Sequence, residues 1–286
     1  MEDVNGRVAM VTGAASGIGL GMTRAFVKAG MRVMMADIES GALNDAASGF
    51  APGEVATTVC DVSDRDAVFA SVQAAVDSFG AIHVLANNAG VSTGGYIDEA
   101  SPSDWAWVAG VNYFGVLHGC QAVIPHLKQQ GQGGHIVNTA SMAGLLGGVA
   151  GWGPYNSTKF AVVGLTEVLR QEGREAGFGA SVLCPGAVNT NIYESPRNRP
   201  DRFGPQVSPV AFMDDPDELK RGLNPDVVGQ LVLEAIRDNR LYIFTDPRFA
   251  KVVSKRFDRI ASDFAWATDS SALNEAHAPG STIMRK

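Results

Sequence analysis

Seven short apolar runs punctuate the chain, and most of them are continuous rather than alternating. They cover residues 8–12, 33–36, 55–59, 82–86, 135–138, 180–184 and 241–244. A strand with one wet face alternates apolar and polar residues, whereas a strand covered on both faces reads as an unbroken run. Helical periodicity fills the intervals between the runs. Strand–helix alternation of this kind predicts an α/β fold, a doubly wound, parallel, seven-stranded sheet of Rossmann type with helices on both faces. The 286 residues allow one large domain or two small ones, and a chain of this size hides roughly 75% of its unfolded surface without staples.

Helix starts are marked along the way. Ser63-Asp64-Arg65-Asp66 has the form of a capping box, with Ser63 as its cap. Ser101-Pro102 and Asn224-Pro225 each place a capping side chain before a first-turn proline. The segment 192–222 is different, being rich in Pro, Arg, Asn and Asp and weakly periodic. So long an irregular stretch inside a compact domain is expected to be functional, here a lid. The tail after about Asp269 is small and polar and is expected to be poorly ordered.

Composition excludes several classes of protein. Thirty acidic residues against 23 Lys+Arg leave a net charge of −7, which argues against a nucleic-acid partner. No stretch reaches the roughly 18 uncharged apolar residues of a membrane span. The N-terminal residues Met1–Gly6 lack the basic start and apolar run of a secretory signal. Cys60, Cys120 and Cys184 are an odd number inside apolar segments and make no disulfide framework, so a cytoplasmic setting is expected. Five scattered histidines show no metal-ligand spacing, and no metal is expected. One excess remains, 33 glycines, and their positions matter.

The segment Thr12-Gly13-Ala14-Ala15-Ser16-Gly17-Ile18-Gly19 follows the first run directly and opens a helical pattern. Glycines there allow a tight turn and a close approach of backbone to a pyrophosphate, while the helix N-terminus offers free N–H groups and positive dipole. Gly13, Ser16, Gly17, Ile18 and Gly19 are therefore candidate cofactor contacts. Asp37 ends the second run, placed to accept the hydroxyls of an adenosine ribose and to repel a 2′-phosphate. Ile38 follows, and no Lys or Arg lies inside the loop. The cofactor expected is NAD. Asp61 and Val62, at the end of the third run, are candidates for the adenine edge.

Tyr155 and Lys159 stand four apart at the start of a helical pattern, on one face. A free phenol titrates near pH 10. A neighbouring ammonium and the positive ring of an oxidised nicotinamide would both favour tyrosinate and bring the group toward neutral pH.

Thr12–Gly19, Asn87-Asn88-Ala89-Gly90, Asn112, Ser141, Tyr155 with Lys159, and Pro185-Gly186 occur in that order. In this the chain resembles the short-chain dehydrogenase/reductase family in its compact single-domain form, from about Gly6 to Phe244. The resemblance implies that Tyr155 is the acid/base, that Lys159 lowers its pKa and bonds the nicotinamide ribose, and that Ser141 bonds the substrate oxygen. Asn112 would bend its helix and hold a water in a relay to Lys159. Asn88, Ala89 and Gly90 would line the adenosine side, Asn88 also steadying the central strand. Pro185, Gly186 and Val188 would flank the nicotinamide, and Thr190 would touch its carboxamide. The implied organisation is an NAD-binding domain over residues 1–246 that includes the lid 192–222, followed by a C-terminal helix and tail over 247–286. The family commonly forms dimers or tetramers, so a homo-oligomer, a homotetramer among the possibilities, is expected.

Two departures stand out. The spacing from Ser141 to Tyr155 is one residue longer than usual in the family, with a glycine-rich stretch to absorb it. The last strand runs into Phe249, Val252, Val253 and Phe257, an extra helix. Tyr96, Leu145, Trp152 and Tyr193, with Phe203 and Phe212, are the expected apolar walls of a substrate pocket. The lid sequence Ser195–Gly204 resembles that of bacterial dehydrogenases acting on bulky aryl secondary alcohols. The expected reaction is hydride transfer between NAD and a hydrophobic secondary alcohol or ketone, aromatic ones included. The alternatives are a 3-oxoacyl thioester reductase and a non-catalytic nucleotide-binding scaffold. Asp37 counts against the former, and the full Asn112/Ser141/Tyr155/Lys159 set against the latter.

Overall fold

The computed structural model describes residues 1–208 and 219–271. Seven strands, β1 (Val8–Thr12), β2 (Arg32–Asp37), β3 (Val55–Val59), β4 (Val84–Asn87), β5 (Gly134–Thr139), β6 (Phe178–Cys184) and β7 (Tyr242–Phe244), form one sheet in the order β3-β2-β1-β4-β5-β6-β7. Every neighbouring pair is parallel. This is the doubly wound sheet expected from the unbroken runs. All residues of β1, β4 and β5 are buried. The outer strands differ: in β3 no residue is buried, and Val59 and Phe244 stand in solvent. An edge strand has no second neighbour to cover it, so a continuous apolar run there does not mean two-sided burial.

The helices are α1 (Gly17–Lys28), α2 (Ser40–Ala47), α3 (Arg65–Phe79), α4 (Pro102–Ala109), α5 (Gly115–Gln130), α6 (Gly153–Ala176) and α7 (Pro225–Arg237). On one face of the sheet, Met22 and Phe26 of α1 and Val228, Val232 and Ile236 of α7 bury the side chains of Ala9, Val11, Val33 and Met35. The two helices nearly touch. A Cβ on Gly229 would lie 2.2 Å from the carbonyl oxygen of Gly21. Ser101 and Asn224 cap α4 and α7 as expected, accepting from the backbone N–H of Asp104 and Asp226. The cap of α3 is one residue further on than expected. Asp64 accepts from the N–H groups of Asp66 and Ala67, while Ser63 donates its hydroxyl to Asp61. The negative charge of a carboxylate is favoured at the helix N-terminus, and the Ser63 hydroxyl is engaged with Asp61.

α4 and α5 run on through a π-helical turn, Gly110–Phe114, that contains Asn112. Beneath it a buried polar chain ties the sheet to α6. Asn87 donates to Asn138 at 2.9 Å, and Asn138 donates to Thr166 at 3.0 Å. Gly119 leaves the room that Asn87 needs: a Cβ there would lie 2.1 Å from its Oδ1.

By its internal contacts the chain divides at Asp246 into the unit Met1–Asp246, which carries the sheet, and the unit Pro247–Lys286. The described part of the second is a short 3₁₀ turn, Pro247–Phe249, and α8 (Ala250–Thr268), the extra helix expected after the last strand. None of its residues is buried. Phe212 and the tail beyond residue 271 lie outside the described residues. Among those described, no helix is long and apolar enough to cross a membrane.

Candidate active site

At the carboxyl ends of the central strands a single cleft runs from the β2 and β3 ends to α6. Open α/β sheets bind ligands at such a switch in strand order. Gly13, Ser16, Gly17 and Ile18 form its floor, with Asn88, Ala89 and Gly90 beside them. Asp37, Asp61 and Val62 lie at one end, and Tyr155, Lys159, Pro185 and Thr190 line it as well.

The glycine loop is shaped by contact. Gly13 has φ +65°, and a Cβ on it would lie 2.9 Å from the Cα of Ala89. A Cβ on Gly19 would lie 2.0 Å from the carbonyl oxygen of Gly13, so Gly19 closes the turn from beneath and does not itself line the cleft. Ser16 caps α1 in position only. Its side chain makes no capping bond, which leaves the first-turn N–H groups facing the cleft. Asn88 donates to the carbonyls of Thr12 and Gly13 at 3.1 and 3.4 Å and accepts from Thr139. It thereby links β1, β4 and β5, the steadying contact expected of it.

Asp37 is buried. Its Oδ2 accepts from the N–H of Ala15 at 3.0 Å and its Oδ1 from that of Glu39 at 3.0 Å. Each oxygen keeps a lone pair for a hydroxyl. A second, 2′-phosphate dianion beside this carboxylate would meet like charge. The loop amides, the open helix end and Asp37 together fit a dinucleotide.

Tyr155 and Lys159 are buried on the first turns of α6. Tyr155 is hydrogen-bonded to Ser141, so the extra residue between them is absorbed in the intervening loop, where Asn156 holds the carbonyls of Ala143 and Gly147. Lys159 donates to the carbonyl of Thr139 at 3.0 Å, and its Nζ lies 5.4 Å from the centre of the Tyr155 ring. The expected lowering of the phenol is not produced by the protein's own groups. Burial pushes Tyr155 up to about 12, against the opposing Ser141 bond. Burial likewise pushes Lys159 down to about 8. Both shifts have one cause, the cost of holding a charge away from water. Asn112 lies behind this pair. Its amide exchanges two 2.9 Å bonds with the backbone of Val91 and donates to Thr158 at 3.3 Å.

Other expected residues lie elsewhere. The Val188 side chain is packed in the hydrophobic core and its backbone bridges to Leu223, so only its main chain can face a nicotinamide. Gly186 donates to the Thr245 hydroxyl. Leu145 is buried, Tyr96 is exposed, and neither these nor Trp152 and Tyr193 line the cleft. Gly95 bridges to Trp152, which brings Tyr96 and Trp152 near one another. Glu39, Arg197 and Asn198 line the cleft and were not expected there. The charge alternation between the lid arginines and the acids after β2 and β3 was the available signal.

Residues 7–201 match the short chain dehydrogenase family. The chain belongs to the short-chain dehydrogenase/reductase family. It is thus an oxidoreductase of a family whose members act on hydroxyl groups. A C alpha-dehydrogenase of a Sphingobium strain is 30% identical over 275 residues, spanning 93% of this chain and 88% of that one. A 3beta-hydroxysteroid dehydrogenase of Eggerthella lenta is 36% identical over 200 residues, 69% of this chain and 76% of its own. Among solved structures, a short chain dehydrogenase/reductase of Burkholderia phymatum in complex with NAD superposes with a TM-score of 0.86 at 38% identity, covering 92% of this chain and 97% of that one. LigO of Sphingobium, in its apo form, gives 0.82 at 33% identity, with coverages of 96% and 95%.

Proposed function

We propose that this dehydrogenase moves a hydride between NAD and a hydrophobic, aromatic secondary alcohol or ketone, with Tyr155 as the acid/base. The observation that carries the reading is the hydrogen bond of Ser141 to the buried Tyr155, which with the buried Lys159 lines the cleft whose other end holds Asp37. When bound, the dinucleotide supplies the hydride acceptor or donor and, in its oxidised form, a positive ring. The chain's own work is orientation and proton handling. Ser141 holds the substrate oxygen against Tyr155 Oη. In oxidation Tyr155 takes the hydroxyl proton; in reduction it returns one. Lys159, held by Thr139 and behind the ring, supplies positive charge to the tyrosinate and reaches a ribose. The water-excluding walls that raise the phenol to about 12 also magnify any positive charge brought to the site, since both effects come from low local dielectric.

Asp37 supports NAD over NADP, and the NAD complex of the Burkholderia relative is in keeping with that choice. The same carboxylate counts against a thioester reductase of the NADP-using kind. The aromatic character of the substrate rests on the resemblance of the lid sequence alone, since Tyr96, Trp152 and Tyr193 do not line the cleft. A homo-oligomer in the cytoplasm, acting on a small molecule, completes the proposal; the three free, buried cysteines are in keeping with a reducing setting. The test is a panel of aryl and alkyl secondary alcohols with NAD and with NADP, followed by absorbance of the reduced nicotinamide. Aryl alcohols with NAD should turn over best, and Tyr155→Phe should abolish turnover while NAD still binds. Appreciable activity in that variant overturns the mechanism.

A further inference from the structure

Three arginines of the segment after β6 reach carboxylates on three different parts of the chain, and the contacts are of two kinds. Arg199 meets Asp104 of α4 at 2.5 Å, with side chains 4% and 0% exposed. The same guanidinium donates to the carbonyls of Phe203 and Gly204 and lies 4.9 Å over the Trp107 ring. Asp104 also accepts from the N–H of Ser208 at 3.0 Å. A pair so enclosed does not part without leaving a buried charge alone. The other two contacts are open to water. Arg197 donates to both oxygens of Glu39, at 2.8 and 3.3 Å, and Asn198 donates to Glu39 at 2.9 Å. Arg202 meets Asp61 at 2.6 Å and Ser63 at 2.7 Å. These pairs are 33% and 31%, and 50% and 17%, exposed. Exposed pairs are weak, salt-sensitive and quick to reform.

Their placement gives them a use. Glu39 follows β2 and Asp61 follows β3, and both line the cleft beside Asp37, as do Arg197 and Asn198 from the other side. The segment therefore lies across the adenosine half of the cleft. A dinucleotide seated there could leave only after Arg197 and Arg202 release their partners.

We propose that Arg197–Glu39 and Arg202–Asp61 are a latch that positions this segment over the adenosine half of the cofactor and sets how fast the dinucleotide leaves, with Arg199–Asp104 as the fixed anchor. The proposal rests on the dinucleotide reading above. Glu39, Arg197 and Arg202 are positioning residues in it, with no part in hydride or proton transfer.

Stopped-flow displacement of NADH by excess NAD from the full-length protein, read by nicotinamide fluorescence, tests this. Glu39→Gln and Arg197→Gln should each speed NADH release about fivefold, and Arg197→Gln/Arg202→Gln more than tenfold. Raising salt from about 50 to about 500 mM should speed release from the wild type and leave the double variant nearly unchanged. A thermal melt of each variant accompanies the kinetics. Unchanged release in folded variants overturns the latch, even if their melting falls, because the pairs are then staples only. Glu39→Gln keeps the side-chain shape and covers the case in which an arginine variant fails to fold. If wild-type protein gives no saturable NADH signal, it is the dinucleotide reading that falls, and the latch with it.

Discussion

At the scale of the residue, burial decides more than neighbouring charge. Tyr155 and Lys159 are both pushed toward their neutral forms, the phenol up to about 12 and the ammonium down to about 8, because both are enclosed. The sign of the pH dependence follows. With Tyr155 as the proposed acid/base, oxidation would draw on tyrosinate, so kcat/KM for an alcohol should rise with pH; reduction would draw on the phenol, so kcat/KM for the ketone should fall over the same range. Rate profiles in the two directions check this, and an oxidation rate that declines as pH rises would falsify the role of Tyr155 as base. Asp37 is the other residue on which the proposal rests. Its carboxylate is held by two backbone amides on the cleft wall, where it would oppose a 2′-phosphate. Asp37→Ala with Ile38→Arg should shift the kcat/KM ratio from NAD toward NADP by tenfold or more, the worth of about 1.4 kcal/mol. An unchanged ratio removes Asp37 from cofactor choice.

At the scale of the element, the site depends on places where regular structure is interrupted or crowded. The π turn Gly110–Phe114 sets Asn112 so that its amide closes on Val91, near the start of the loop that follows β4. Asn112→Ala would leave the N–H and carbonyl of Val91 buried without partners, a cost of about 1–3 kcal/mol for each group. Its activity should fall with little change in NAD affinity, as measured by turnover and titration. The α1–α7 crossing is a second such place. A methyl on Gly229 would lie 2.2 Å from a carbonyl of α1. Gly229→Ala should therefore destabilise by about 1–3 kcal/mol, although alanine favours helix by about 1 kcal/mol. Denaturant unfolding measures the difference; a stabilised variant would show that α1 and α7 can separate at little cost.

At the scale of the whole molecule, one sheet brings together cleft residues from Gly13 to Pro200 because parallel strands all present their carboxyl ends to the same edge. The unit Met1–Asp246 holds every element of the cleft. Residues 1–246 alone should therefore melt cooperatively and bind NADH, as circular dichroism and fluorescence titration would report; a truncated chain that fails to fold places part of the core's stability in residues 247–286. Much of this was legible in the residues. Unbroken apolar runs determined the parallel sheet, since only two-sided burial requires them, and Gly13, Gly17 and Gly19 marked the loop, since a turn this tight admits no Cβ. Ser141 and Tyr155 were singled out by their order among the motifs of the resemblance, although their spacing departed from it. The two edge strands were misjudged because burial depends on a neighbour that a run of letters does not show. Val188 was placed by its motif at the nicotinamide, while its side chain lies in the core. The direction of the Tyr155 shift, the Asp64 cap and the three lid arginines with their carboxylates were decided only by tertiary structure. Local pattern carries periodicity and chain reversal, both properties of neighbours in sequence. Desolvation and charge pairing across 95 to 158 residues depend on what the fold brings alongside, and that is settled only when the sheet is assembled.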